Sequence, residues 1–219
     1  MITVNPRVDN LDKELIEAYR KILAPSLGHF IETGMSPDIK ALWKPVKLVG
    51  PALTIQTQPD VTSALAKAVE IAQPGDVLVM SRGGERAHFT TGDFAVLRFQ
   101  EMGIAGLITD GLVSDQRAIE RLNFPVFSRG TSAVLVKARL GVEEGAVNVP
   151  VEVGGLTVNP GDLILADEDG VMVASPQVAR DKLATCQELE EWEEYALGQL
   201  GKGRSFGEVM QERRTYNAS

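Results

Sequence analysis

Apolar and polar positions between Lys47 and Phe127 switch repeatedly between a period of two and a period near 3.6. Leu48–Thr57 is rich in β-forming residues, Thr62–Ile71 is an Ala/Leu run at helical spacing, and Pro74-Gly75-Asp76 turns into a strand over Val77–Met80. Phe94–Met102 reads as a second helix, Gly106–Thr109 as the next strand, Gln116–Leu122 as a short helix and Pro125–Phe127 as another strand. Such alternation predicts an α/β arrangement. Ahead of it, Leu11, Leu15, Ile16, Tyr19, Ile22 and Leu23 recur every three or four residues, which predicts a helix over residues 9–32 with Asn10 as its N-cap. Gly34, Pro37 and Pro45 loosen the chain up to residue 45.

The pattern changes after Ser132. Val134–Leu140, Val147–Val153, Leu156–Val158, Leu163–Ala166 and Val171–Ala174 read as strands with no helix between them. A β-rich half closing around an α/β half predicts a barrel-like core. From Pro176 a Glu-rich helix runs to about Gly198, and a polar tail follows Gly203. The expected organisation is an N-terminal helical segment (1–46), an α/β core (47–175) and a C-terminal helix with its tail (176–219). Pro74-Gly75-Asp76 and Pro160-Gly161-Asp162 echo each other and read as turns entering strands.

Charge and composition narrow the function. The 219 residues carry 30 acidic against 22 basic side chains, a net charge of −8. That balance, with no basic run, argues against nucleic acid as the ligand. No apolar stretch approaches the length of a membrane-spanning helix. The first residues lack a signal pattern, which points to the cytosol. Cys186 is the only cysteine and His29 and His88 the only histidines, so any metal site rests on oxygen ligands, favouring Mg²⁺ or Mn²⁺.

Two glycine-bearing segments carry candidate chemistry. Ser81–Asp93 lies between a strand and a helix, where Gly92 permits close backbone approach and the amides of Asp93, Phe94 and Ala95 are candidate donors to a carboxylate or phosphate. An ordinary connecting loop with Asp93 as N-cap is the alternative. In Thr109–Asp115, Asp110 and Asp115 are candidate oxygen ligands for a hard cation, or else an Asx-turn and an N-cap. Arg129 closes a third strand end, and His88 is a candidate general base or else a solvent-exposed or structural side chain. By default the run Glu188–Tyr195 is a solvated helix face. P-loop, dinucleotide, HExxH and nucleophile-elbow motifs are all absent.

Taken together, Gly50–Thr54, Gln73–Val79, Gly92-Asp93, Gly103–Gly111, Asp115, Phe124–Gly130 and Pro160–Val173 resemble the family of the RraA proteins and the class II 4-hydroxy-4-methyl-2-oxoglutarate aldolases. The likeness spans about residues 47–175. It implies a β/β/α swivelling-domain-like sandwich or barrel, assembled as a homotrimer or hexamer with sites between subunits and acting on a small 2-oxo acid. It further implies a divalent ion on Asp115, backbone amides of Gly92, Asp93, Phe94 and Ala95 on the pyruvate carboxylate, and a water positioned by Asp93. A glutamate from a neighbouring subunit, Glu193 or Glu194 by spacing, would complete the outer shell of the metal. The chemistry implied is retro-aldol cleavage or oxaloacetate decarboxylation through a metal-stabilised enolate.

One departure matters. The family's Arg-Asp pair is Ser114-Asp115 here, so a neutral hydroxyl stands in the substrate subsite where the family carries a fixed charge. Arg82, Arg86 and Arg129 are the candidate replacements. Three readings result: a divalent-metal-dependent carbon–carbon lyase, a relative with a different reaction, and a non-catalytic binding protein of the RraA kind.

Overall fold

The computed structural model describes the backbone of residues 1–216 and the side chains of residues 1–213. The N-terminal part comprises β1 (Ile2–Val4), α1 (Lys13–Tyr19), α2 (Ala24–Gly28) and β2 (Lys40–Ala41). The α/β part follows with β3 (Leu48–Gln56), α3 (Ser63–Ile71), β4 (Val77–Ser81), β5 (Phe89–Thr91), α4 (Asp93–Glu101), β6 (Gly106–Thr109), β7 (Leu112–Val113), α5 (Gln116–Arg121) and β8 (Val126–Ser128). The rest comprises β9 (Gly145–Val147), β10 (Val151–Val153), β11 (Leu156–Val158), β12 (Leu163–Asp167), β13 (Gly170–Ala174), α6 (Pro176–Gly201) and α7 (Phe206–Tyr216).

Strands β3, β4, β6 and β8 run parallel in that spatial order, with β9 and then β1 beyond β3, and β2 antiparallel on β8. The first half of β3 pairs antiparallel with β12, and its second half pairs with β4. One strand therefore belongs to two sheets. The crossing leaves no room at Gly50, where a Cβ would stand 2.3 Å from the Gly75 carbonyl oxygen.

Side-chain alternation sorts these strands into layers. Leu78 and Met80 of β4 face a core with Ala64 and Ala68 of α3, Val96 and Phe99 of α4, and Ile119 of α5. Val77 and Val79 of the same strand face the opposite core, shared with Val151, Val153, Val158, Ile164 and Val173 of the second β layer. Leu163 and Leu165 of β12 alternate outward again onto Leu15, Tyr19, Leu27 and Cys186 of α1, α2 and α6. The result is four layers, helix–sheet–sheet–helix, with a core in each gap, in accord with the expected mixed α/β class.

Four local expectations change. The helix over 9–32 is two helices, because Pro25 lacks an amide proton and starts α2 afresh. The N-terminus of α2 is held by carboxylates from elsewhere: the Ala24 amide donates to Asp167 Oδ2 at 2.6 Å, and the Leu23 amide donates to Glu190 Oε1 at 2.7 Å. The Val147–Val153 strand breaks at Asn148, whose φ of 56° is left-handed, dividing it into β9 and β10. Residues 134–140 form a loop with only an isolated bridge from Leu135 to Phe89, leaving Val134, Leu135 and Leu140 exposed. The tail after Gly203 carries helix α7, with Val209 buried, while the expected tail over residues 217–219 lies outside the described residues. Among the described residues no helix is long and apolar enough to cross a membrane.

Candidate functional site

Asp93 and Asp115 are 22 residues apart in sequence, and a two-stranded parallel ribbon brings them together. In that ribbon Thr91 of β5 pairs with Val113 of β7, and the Ser114 amide donates to the Thr91 carbonyl at 3.0 Å. Each strand runs directly into the head of a helix: Gly92 is the N-cap of α4 and Asp115 the N-cap of α5. Helix heads and strand ends thus converge, an arrangement that collects anions and ligands in α/β proteins.

Asp115 has φ 57° and ψ 35°, left-handed backbone that Asp tolerates better than most residues. Its side chain makes no capping bond to its own helix. It turns instead toward α4, where Oδ2 accepts from the Ser114 hydroxyl at 2.6 Å and from the Asp93 amide at 3.4 Å. Gly92 makes the approach possible, since a Cβ there would lie 2.3 Å from Asp115 Oδ2 and 2.7 Å from Ser114 Oγ. Asp115 is exposed while Ser114 is buried.

The α4 amides are only in part free. The Phe94 amide donates to Asp93 Oδ1 at 2.8 Å and the Asp93 amide leans on Asp115, which leaves the Ala95 amide without a partner among the described residues. The Phe94 ring is 85% exposed. Beside Asp115 opens a cleft of about 500 Å³ lined by Phe89, Ser114, Asp115, Gln116, Thr131, Ser132 and Ala133. The residues from 129 to 132 reach it by running beside β7: the Arg129 amide donates to the Gly111 carbonyl at 3.2 Å, and the Ser132 amide to the Val113 carbonyl at 3.0 Å.

Asp110, the other candidate ligand, is buried and already committed. Its two oxygens accept from the Arg82 amide at 2.6 Å and the Gly84 amide at 2.8 Å, so it clamps the turn after β4. Arg82 is equally unavailable as a substitute charge, being 1% exposed. Its guanidinium donates to the carbonyls of His88 at 3.2 Å and Pro59 at 2.9 Å and fills the space that a side chain on Gly111 would need. Burial lowers the Arg82 pKa, opposed by the nearby Glu85 and Asp110. His88 is held by Glu85 through Nδ1 at 2.9 Å, and it is the neighbouring Phe89 that lines the cleft. Burial pushes the Glu85 carboxyl up, but bonds from the His88 ring and the amides of His88 and Ala87 outweigh it and hold the acid below its ordinary range.

Glu193 and Glu194 sit on the outer half of α6, which packs on α1, α2 and α7. No hydrogen bond or ion pair among the described residues joins them to Asp115 within one chain. Nor do the described residues contain a cluster of three or more His, Cys, Asp or Glu arranged around a metal position. The donor set suits one kind of ion. Asp115 offers an exposed carboxylate whose Oδ1 has no partner among the described residues, and Mg²⁺ typically takes one or two carboxylates and keeps several waters.

Sequence reasoning missed the wall formed by Thr131, Ser132 and Ala133, and it missed Asp38 and Lys40, which lie near Arg129. Lys40 arrives there because β2 pairs with β8, Lys40 opposite Ser128. No local signal marks that two-residue strand.

Comparison with known proteins now bears on this geometry. Residues 14–173 match the family model described as RraA-like, Aldolase/RraA. A Halalkalibacterium halodurans protein carrying the provisional name 4-hydroxy-4-methyl-2-oxoglutarate aldolase is 41% identical over 162 residues, covering 73% of this chain and 76% of that one. The crystal structure of Streptomyces coelicolor RraAS2, described as an unusual member of the RNase ES inhibitor RraA protein family, superposes with a TM-score of 0.75 at 30% identity, covering 86% of this chain and 99% of that one. An uncharacterised Pseudomonas syringae protein shares the fold with a TM-score of 0.82 at 24% identity, covering 93% of this chain and all of that one. By fold and by sequence, the chain belongs to the RraA-like aldolase/RraA family.

Proposed function

We propose that this protein is a carbon–carbon lyase acting on 2-oxo-dicarboxylates, by retro-aldol cleavage or β-decarboxylation. The observation that carries the reading is the carboxylate of Asp115, turned by a left-handed backbone against Gly92 at the head of α4, at the mouth of an open cleft. A purely structural N-cap would bond its own helix, and this one does not. The names of the aldolase-type relatives support the same reading.

In this mechanism the head of α4 takes the substrate carboxylate, the unpartnered Ala95 amide donating to it and the helix dipole favouring its charge. Asp115 would hold Mg²⁺ or Mn²⁺, which when bound supplies Lewis-acid stabilisation of charge developing on the 2-oxo oxygen. The Ser114 hydroxyl aims Asp115 by donating to Oδ2. Asp93 keeps Oδ1 on the Phe94 amide and uses its other oxygen to hold the water that moves the substrate proton. Glu193 or Glu194 comes from a neighbouring copy in a homotrimer or hexamer, where the exposed Phe94 and Leu97 are also covered.

The test is cleavage of 4-hydroxy-4-methyl-2-oxoglutarate with pyruvate as the measured product, in wild type and Asp115→Asn. The reading expects turnover that falls at least 100-fold in the variant. Wild-type protein inert with Mg²⁺ and Mn²⁺ present would overturn it.

A second reading has its own observation. Ser114 is committed to Asp115 and Arg82 is sealed away, and among the described residues no Lys or Arg lines the cleft beside Asp115. A relative with another substrate would show this arrangement. Ser114→Arg decides: a gain of aldolase activity by orders of magnitude favours the second reading, and a loss favours the first.

A further inference from the structure

We propose that Arg129, Arg86 and Lys40 form a second anion subsite, one that binds the far carboxylate of a dicarboxylate substrate. The inference rests on the lyase reading for the identity of that substrate, but the subsite can be measured without turnover.

The three cations line a cleft of about 360 Å³ together with Asp38, Leu112 and Thr131. Thr131 also lines the Asp115 cleft, so the two spaces adjoin. Arg129 and Arg86 converge on one oxygen, with Nη1 and Nη2 respectively at 3.3 and 3.7 Å from Asp38 Oδ2. Two guanidinium groups therefore share one carboxylate and Lys40 lines the same cleft, so the lining carries three cations against one acid. In a chain of net charge −8 that local excess is contrary to the overall field, and it sits next to the cleft that Asp115 lines.

A surface ion pair explains less of this. Such a pair contributes little and needs a single cation. Here Arg129 is only 18% exposed, and its Nε is buried with no hydrogen-bond partner. Its backbone is tied to Gly111, so the guanidinium is anchored at the cleft edge. A planar fork held by one carboxylate on one side is prepared to take a second on the other, and guanidinium matches carboxylate geometry better than a lone ammonium does. A substrate with one carboxylate at the head of α4 and another here would lie across Asp115. The distal charge would then select dicarboxylates, leaving the enolate end to the α4 head and Asp115.

The test measures cleavage of 4-hydroxy-4-methyl-2-oxoglutarate with Mg²⁺, whose far carboxylate leaves intact, and binding of succinate, acetate and inorganic phosphate by calorimetry, in wild type, Arg86→Gln and the double variant Arg86→Gln/Arg129→Gln. Arg86 is 67% exposed, so its single variant folds and keeps the test valid even where the double does not. The proposal expects KM to rise about 10- to 100-fold in the double variant with kcat changed less than threefold, as loss of charge-assisted bonds requires. It expects succinate to bind more tightly than acetate or phosphate, to weaken at least tenfold in the double variant and measurably in Arg86→Gln, and to be unaffected by Asp115→Asn. Unchanged KM and unchanged succinate affinity in both variants would overturn the subsite. Phosphate bound more tightly than succinate would overturn the dicarboxylate assignment. Wild-type protein without turnover whose succinate binding still depends on the two arginines would sink the lyase reading and uphold the subsite.

Discussion

Gly92→Ala separates the site from the fold. At Gly92, φ is −132° and ψ −163°, extended backbone that alanine adopts without strain. The atoms nearest the added methyl are all side chain, Asp115 Oδ2 at 2.3 Å and Ser114 Oγ at 2.7 Å leading. Ordinary contact needs about 3.4 Å, so the carboxylate retreats by about 1 Å, losing its 3.4 Å approach to the Asp93 amide and straining the 2.6 Å bond from Ser114. Stability should fall by about 1 kcal/mol, the cost of an altered N-cap and one exposed hydrogen bond. Activity should fall about 100-fold, as misplacing a reacting group by that distance does. Chemical denaturation gives the first quantity and pyruvate release the second. A variant that keeps activity within threefold, or loses it only because it unfolds, would refute the argument that Gly92 exists to admit Asp115.

Gly50→Ala should behave in the opposite way, because its Cβ would meet the Gly75 backbone oxygen at 2.3 Å where nothing flexible can yield; a loss of about 1–3 kcal/mol is expected in denaturation. Asp110→Ala should cost about 2–4 kcal/mol by leaving the Arg82 and Gly84 amides without their acceptor, and hydrogen exchange should localise the loosening to residues 82–88. Burial pushes the Cys186 thiol up to about 11, so native protein at pH 8 should resist thiol reagents that label it on unfolding. Because the folded thiol holds its proton more tightly, that stabilisation is complete below the ordinary thiol pKa and is lost as pH rises through about 11; urea melts from pH 8 to 11 should show the decline, and Cys186→Ala should flatten it.

The central α/β part was readable because each strand carries its own period and each turn its own glycine or proline, as in Pro74-Gly75-Asp76 before β4. The Asp93–Asp115 pairing was visible only through family likeness, since the parallel ribbon that makes it is three residues long on one side and two on the other. Local patterning failed where distant partners decide. The break at Pro25 is stabilised by Asp167 and Glu190, more than 140 residues away. Residues 134–140 alternate like a strand, yet only Val136 is buried, the segment makes a single isolated bridge to Phe89, and it remains a loop. Arg82 shows the same limit at the site: its position suggests a catalytic cation, whereas its burial under the 82–88 turn makes it a structural clamp.

The most direct measurement of the central claim is pyruvate release from oxaloacetate with and without Mg²⁺ or Mn²⁺, in wild type beside Asp115→Ala. The account predicts turnover that requires the added ion and disappears in the variant while the variant's melting temperature stays near wild type. Turnover that persists in Asp115→Ala, or wild-type protein that binds the ion and releases no pyruvate, would contradict it.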